Sequence, residues 1–167
     1  MFNQYDHISG AVMVRLHRYL QRLKNNADAT LIRSNLFVGG TNSIELLEDI
    51  GINSVLDLRA ENNDDKTKLK KKSINYLRIK ILDRGVTLEI QVKEATDWID
   101  LEIKKDRKVF VHCNLGRGRG PLMIVLFLIT QGLKLNSAID LVKKKRRFTF
   151  FNKKQINFLE NFSKNCI

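Results

Sequence analysis

The chain has only one proline and two cysteines among its 167 residues. Two cysteines cannot form a disulfide framework, which excludes a disulfide-stabilised secreted fold and indicates a reducing compartment. The longest apolar run, Leu122–Ile129, is too short to cross a bilayer, which needs about 20 apolar residues. The N-terminal region has no apolar core or small-residue cleavage site of the signal-peptide kind. We therefore expect a cytoplasmic protein.

The composition is that of one globular domain, with 43% hydrophobic and 29% charged residues. A net charge of +12 favours anionic partners such as phosphorylated proteins, acidic lipid surfaces or nucleic acid. A lysine-rich solvated surface would give the same balance, so charge alone does not choose among them. We assign residues 1–29 to an N-terminal amphipathic helix and residues 30–167 to a single domain.

Residues 109–121 predict a buried strand, a tight loop and a buried helix in succession. The apolar strand ends at His112, and Pro121 stands where a proline best begins a helix. The loop between them contains one cysteine, Cys113, two arginines, Arg117 and Arg119, and three glycines, Gly116, Gly118 and Gly120. Further strands near residues 36, 54 and 77 alternate with helices. This order predicts an α/β domain with a central, mostly parallel sheet covered on both faces.

The loop is suited to binding a phosphate. Its glycines allow successive backbone N–H groups to point inward, and the following helix directs its positive end to the same place. Arg119 adds a planar, two-pronged donor that matches a phosphate dianion. Because such surroundings favour the thiolate form of a cysteine, we predict that Cys113 attacks phosphorus. A buried structural cysteine in a glycine turn is the alternative.

The pattern His112-Cys113-x-x-Gly116-x-x-Arg119 resembles the signature loop of the cysteine-dependent phosphatases, in particular the dual-specificity branch. The likeness covers roughly residues 30–163, and Gly116-Arg117 also resembles the loop of phosphatidylglycerophosphate phosphatases. The resemblance implies a sheet of four to five strands flanked by helices, to which residues 1–29 add an extra helix. It also implies phosphomonoester hydrolysis through a phosphocysteine, without a metal or cofactor.

The resemblance also implies the roles of individual residues. Cys113 is the nucleophile, Arg119 binds the phosphate, and Asp83, in a loop that follows a predicted strand, is the general acid. The residues expected to contact substrate are Asn114, Leu115, Gly116, Arg117, Gly118, Gly120 and Arg84. Asp57 is a rival for the acid, but it lies within a predicted buried strand. Gly120 departs from the family, which usually has a hydroxyl residue there that assists the second step.

The N-terminal residues 6–24 predict an amphipathic helix with basic residues along one side. Its apolar stripe consists of Ile8, Val12, Leu16, Tyr19, Leu20 and Leu23. We expect this stripe to pack on the domain, and docking on an anionic membrane is the alternative. The basic run 143–147 resembles a nucleic-acid patch, but cations at a helix C-terminus also offset the helix dipole. We therefore do not expect nucleic acid as a partner.

Three function classes follow from the sequence. The first, which we favour, is a phosphatase acting on phosphotyrosine, phosphoserine or phosphothreonine in proteins. The second is a phosphatase of anionic lipid headgroups with peripheral membrane contact, favoured by Arg84, Arg117 and the basic helix. The third is a phosphate-binding module with slow turnover, favoured by Gly120. An RNA 5′-phosphatase is a weaker possibility, and no obligate protein partner is implied.

Overall fold

A computed structural model describes residues 4–165, except for the side chains of residues 4–9, 11 and 22. The helices are α1 (Gln4–Leu23), α2 (Ile44–Asp49), α3 (Lys66–Lys71), α4 (Glu89–Lys104), α5 (Arg119–Thr130), α6 (Leu135–Lys145) and α7 (Lys153–Asn165). The strands are β1 (Ala29–Arg33), β2 (Leu36–Gly39), β3 (Ser54–Arg59), β4 (Asn75–Ile81) and β5 (Val109–His112). No helix within residues 4–165 combines the length and apolarity needed to cross a membrane.

The five strands form one sheet in the order β1-β2-β5-β3-β4. Strand β1 pairs antiparallel with β2, whereas the β2–β5, β5–β3 and β3–β4 pairs are parallel. The α/β fold with a mostly parallel sheet of four to five strands and an N-terminal helix is therefore confirmed. The sequence did not predict β1, because only Ile32 of its five residues is buried and no apolar alternation marks it.

Helices cover both faces of the sheet, so the parallel strands are buried as expected for this arrangement. The larger core lies between the sheet and helices α4–α7, and α5 is buried along its whole apolar length. A smaller core lies under α2 and α3 and is built by Ile44, Leu47, Ile52, Val55, Leu69, Ile74 and Phe110. Since β5 lies in the middle of the sheet, the loop that follows it is held by the core on both sides.

Side chains at the first turns fix where two of the helices begin. Ser43 caps α2 by accepting a hydrogen bond from the Leu46 N–H. The neighbouring Asn42 side chain instead bonds the backbone of Asp28 and Gly40. Before α7, Asn152 and Gln155 form a capping box, because each side chain accepts a hydrogen bond from the other's backbone N–H.

The prediction that the apolar stripe of α1 packs on the domain is wrong. Val12, Leu16, Tyr19 and Leu23 are each 50–65% exposed, and the neighbouring Met13 and Leu20 are 50% and 47% exposed. The stripe's Ile8 has a side chain outside the described part of the structure. The surface beneath α1 presents backbone carbonyls and the carboxylate of Asp28, so the helix turns the cation of Arg18 toward it instead.

Candidate active site

The candidate site forms where the carboxyl ends of the parallel strands meet, the usual place for ligand sites in such sheets. The loop after β5 carries Cys113, which is 3% exposed, and this loop leads directly into α5. The loop after β4 carries Asp83, and the loop after β3 carries Glu61. The neighbouring end of β2 leads into Gly40, against which the β5 loop packs. Parallel pairing therefore gathers residues that are far apart in the sequence.

A cavity of about 300 Å³ opens at this place and brings together most of the predicted site. Its lining includes the predicted residues Asp83, Arg84, Cys113, Asn114, Leu115, Arg117, Gly118 and Arg119. Gly116 and Gly120 do not line it, since they pack behind the loop against β2. Arg15, Phe150, Asn152 and Gln155 also line the cavity, and the sequence had not marked them as site residues.

Arg119 is buried and held by acidic partners. Its terminal nitrogens donate to both carboxylate oxygens of Glu61 at 2.7 Å, and one also donates to the Ile81 carbonyl at 3.0 Å. The other terminal nitrogen lies 3.2 Å from the Asp83 carboxylate. Burial opposes the charge of Arg119, but the Glu61 hydrogen bond and the charges of Cys113, Glu61 and Asp83 outweigh it and raise its pKa. The guanidinium is therefore a fixed cation at the cavity wall.

The carbonyl groups of the loop accept hydrogen bonds from two buried arginines. Arg18 of α1 donates to the Asn114 carbonyl at 2.8 Å, and Arg146 donates to the carbonyl of residue 116 at 2.6 Å and that of residue 115 at 3.3 Å. Arg146 is itself paired with both oxygens of Asp28, at 2.9 and 3.0 Å. Because the N–H of a peptide unit points opposite to its carbonyl, these contacts turn the corresponding N–H groups away from Arg18 and Arg146, as an anion-binding nest requires.

Gly116 is required by the shape of the loop. Its φ of +64° lies in the left-handed region, which side chains disfavour. A Cβ at this position would lie 2.3 Å from the Gly39 carbonyl carbon and 2.4 Å from a terminal nitrogen of Arg146. The loop can therefore approach β2 and Arg146 this closely only with glycine at position 116.

The side chain of His112 points into a buried ionic cluster beside the loop. Its Nε2 lies 3.0 Å from Asp64, an ion-pair distance outside hydrogen-bond geometry, and 3.8 Å from Asp57. Arg59 donates to both oxygens of Asp57 and also pairs with Asp64, while the Tyr76 hydroxyl donates to Asp57. Burial opposes the charge of Asp64, but His112 and Arg59 outweigh it and lower its pKa.

The same cluster is the one group among the described residues whose atoms could ligate a metal ion. Ligand atoms of Asp57, Asp64 and His112 lie within 4.8 Å of one another. However, Arg59 already bonds both carboxylates, so a metal ion would have to displace an internal cation. The donor set fits a structural ion-pair network better than a metal site.

The loop that carries Asp83 is exposed at its tip but anchored behind it. The Asp83 side chain is 75% exposed, and Arg84 adopts a φ of +59°. Asn152 donates to the Arg84 carbonyl at 2.8 Å, and Gln155 donates to the Gly85 carbonyl at 3.1 Å. The first turn of α7 therefore fixes the position of the loop while the carboxylate of Asp83 remains at the rim of the cavity.

Comparison with known proteins gives one family. Residues 36–165 match the family model described as dual specificity phosphatase, catalytic domain. Protein tyrosine phosphatase type IVA 3 from Homo sapiens is 35% identical over 124 residues, covering 71% of this chain and 69% of the relative. Type IVA 2 from Mus musculus is 35% identical over 103 residues, and this match covers 59% of each protein, less than two thirds of the relative.

A solved structure described as PTPMT1 in complex with PI(5)P has a TM-score of 0.76 and 20% identity, and covers 84% of this chain and 97% of that one. At that identity the likeness shows the fold alone. The family match and the 35% identical relative show more: the chain belongs to the cysteine-dependent dual-specificity phosphatases.

Proposed function

We propose that this protein is a metal-independent phosphomonoester hydrolase that acts through a phosphocysteine. The phosphate dianion is held by the loop N–H groups and Arg119. The Cys113 sulfur attacks phosphorus, forming the S–P bond as the P–O bond to the leaving group breaks. Asp83 transfers its proton to the departing oxygen. The fixed cation and the loop amides stabilise the charge on the transferring phosphoryl group.

In the second step, water attacks the phosphocysteine while the carboxylate of Asp83 accepts its proton. The S–P bond breaks, which returns the Cys113 thiolate and releases phosphate. Gly120 offers no hydroxyl to assist the departing sulfur, so this step is expected to be the slower one. A burst of leaving group followed by slower steady turnover should appear, and an absence of any burst in rapid-mixing measurements would count against a slow second step.

The observation that carries this proposal is the placement of three groups around one cavity. Cys113 lies at the end of the central strand, Arg119 is fixed by Glu61 at the wall, and Asp83 stands at the rim 3.2 Å from Arg119. Hydrolysis of p-nitrophenyl phosphate in the presence of EDTA tests it. Turnover that survives the chelator supports the proposal, and turnover that needs an added metal contradicts it.

The substrates we favour are phosphoproteins, and the curated relatives are named as protein tyrosine phosphatases. The low cysteine count and the chain's net charge of +12 support action in the cytoplasm on anionic targets. Release of phosphate from phosphotyrosine, phosphoserine and phosphothreonine peptides, compared at equal concentration, tests this class. Failure on all three peptides together with turnover of p-nitrophenyl phosphate would reject protein substrates while leaving the chemistry intact.

Anionic lipid headgroups are the second candidate substrate, with peripheral contact to a membrane. Arg15 and Arg84 line the cavity with exposed side chains, in addition to Arg117 and Arg119. Such a wall suits a substrate with a second anionic group beside the reacting phosphate. We expect Arg84→Gln to reduce hydrolysis of phosphatidylglycerophosphate or a phosphoinositide more than that of a phosphotyrosine peptide. Equal losses on both would remove this argument.

A further inference from the structure

Helix α1 turns its apolar side away from the domain. Val12, Leu16, Tyr19 and Leu23 recur at the spacing of helical turns, so they lie along one line with Met13 and Leu20 beside it. We call these six side chains the outer stripe, and each is about half exposed or more. Val14, on the opposite side of the helix, is only 2% exposed. The helix therefore packs through its polar side and presents its apolar side outward.

We propose that the outer stripe docks α1 onto an anionic lipid bilayer and thereby seats the catalytic cavity at the membrane surface. Six large apolar side chains on one helix face form a contiguous patch of the kind that marks a contact with another apolar phase. An interfacial helix of this type buries its apolar side at the boundary of headgroups and acyl chains and keeps its cations among the headgroups.

Charge complementarity selects an anionic surface. Residues 10–24 contain no acidic side chain, and Arg15 on α1 and Lys24 directly after it are exposed. A second set of exposed cations lies nearby at the end of α6, namely Lys143, Lys144, Lys145 and Arg147. This set adjoins α1 because the ring of Phe148 lies 6.0 Å from that of His17. The apolar patch is thus bordered by positive charge.

The catalytic cavity lies between α1 and a second exposed apolar rim. Arg15 lines the cavity from α1. A Cβ on Gly10 would lie 2.3 Å from a terminal nitrogen of Arg117, so the helix and the phosphate-binding loop are in close contact. On the other side, the segment that carries Asp83 exposes three large apolar side chains, Leu82, Leu88 and Ile90, at 74%, 68% and 70%. Docking would therefore bring the cavity to the level of lipid headgroups.

A second copy of the chain fits the outer stripe less well than a bilayer does. Pairing two copies would oppose two proteins of net charge +12 and bring the cations of both helices together. An anionic bilayer neutralises the same charges. The docking itself does not depend on catalysis, whereas the consequence that the cavity acts on lipid headgroups rests on the proposed function.

The test is co-sedimentation of the full chain with vesicles of phosphatidylcholine alone or mixed with phosphatidylserine. The structure offers a matched pair of variants, because Leu16 on α1 and Leu101 on α4 are both leucines in helices and both 50% exposed. We expect binding to the phosphatidylserine vesicles, a loss of about tenfold in the partition coefficient for Leu16→Glu, and a change within about twofold for Leu101→Glu. Phosphatidylcholine vesicles should bind more weakly.

Three outcomes would overturn the docking proposal. Absence of vesicle binding rejects it, and so does binding that Leu16→Glu and Leu101→Glu reduce equally, since general charge attraction would then suffice. A dimer in analytical ultracentrifugation that Leu16→Glu dissociates would show that a second copy covers the stripe. Hydrolysis of p-nitrophenyl phosphate without vesicles should be the same for Leu16→Glu and the unsubstituted chain. Inactive protein that still binds vesicles through Leu16 would reject the phosphatase function and leave the docking intact.

Discussion

Two helices flank the loop that follows β5, and they are held in opposite ways. Helix α5 follows the loop and buries every apolar side chain from Pro121 to Ile129. Helix α1 crosses the other side of the loop, buries Val14 and Arg18, and leaves its apolar stripe outside. The core thus fixes the loop from behind through packing, whereas α1 holds it through the hydrogen bond from Arg18 to the Asn114 carbonyl. Substitutions on the core side should therefore remove catalysis, and those on the α1 side should mainly reduce stability.

The largest effect is expected from Cys113→Ser. Replacing the sulfur removes the nucleophile, so p-nitrophenyl phosphate hydrolysis should fall by about 10⁴-fold. Calorimetry should show that inorganic phosphate still binds, because the loop amides and Arg119 are unchanged. Turnover close to that of the unsubstituted chain would exclude Cys113 as the nucleophile.

Asp83→Asn should come next, because the amide cannot give a proton to the leaving oxygen. We expect a loss of about 10²- to 10³-fold for an alkyl phosphate and a smaller loss for p-nitrophenyl phosphate, whose leaving group needs less protonation. The ratio of the two kcat values measures the effect. Equal losses for both substrates would assign Asp83 a structural role.

Glu61→Gln should reduce kcat by about tenfold, because an amide holds the Arg119 guanidinium less firmly and the cation loses its alignment. Glu61 acts as a positioning residue in this prediction. Glu45→Gln is the control, since Glu45 is an exposed glutamate that pairs with Lys68 far from the cavity. If Glu61→Gln leaves both kcat and KM unchanged, the alignment of Arg119 does not depend on this contact.

On the α1 side, Arg18→Met should lower the free energy of unfolding by about 1–3 kcal/mol, since it removes hydrogen bonds to the carbonyls of Asn114 and Thr41 and weakens the pairing of Asp28. Lys24→Met, an exposed change directly after the same helix, should have little effect in urea unfolding. A matching loss for both variants would mean that α1 contributes no specific contact to the loop.

The smallest effect is expected from titration of Asp28. Burial opposes its charge, but the hydrogen bond and charge of Arg146, with help from Gly40 and Arg18, outweigh it and lower its pKa. A lowered folded-state pKa gives stability that is complete above the unfolded-state value of about 3.9 and is lost as pH falls through the folded value. The free energy of unfolding measured in urea should therefore fall below about pH 4.

Asp28→Asn is the variant that checks this titration. It should lower stability at pH 7 and flatten the dependence on pH below about 4. Asp140→Asn, an exposed substitution on α6, serves as the comparison and should leave the loss of stability below about pH 4 unchanged. If Asp28→Asn loses stability below about pH 4 as steeply as the unsubstituted chain, other carboxylates account for the acid sensitivity.

The sequence predicted the local part of the site, and the family resemblance added Asp83, but neither gave the contacts that join distant residues around the loop. The strand, loop and helix from Val109 to Pro121 were predictable because an apolar run, three glycines and a proline follow one another directly. Glu61 lies 58 residues from its partner Arg119, and Arg146 lies 118 residues from Asp28. No spacing rule relates such residues, so their contacts could not be predicted from one sequence.

The orientation of α1 was missed for a different reason. Periodicity correctly placed Val12, Leu16 and Leu23 on one side of a helix, but it contains no information about what that side faces. The polar surface that receives α1 is assembled from Asp28, Thr41 and Asn114, which come together only in the folded domain. The basic run at the end of α6 was likewise misjudged at Arg146, which is buried and holds the loop.

The loop between β3 and α3 has a consequence for engineering. Exposed connections of this kind usually tolerate inserted or deleted residues. Here one short segment carries both Glu61, which accepts hydrogen bonds from Arg119, and Asp64, which pairs with His112. His112 and Arg119 lie on either side of Cys113 in the sequence. Lengthening it by a single residue would shift at least one of these two contacts. It is therefore a poor place for a tag, a graft or a circular-permutation break, although much of it lies at the surface.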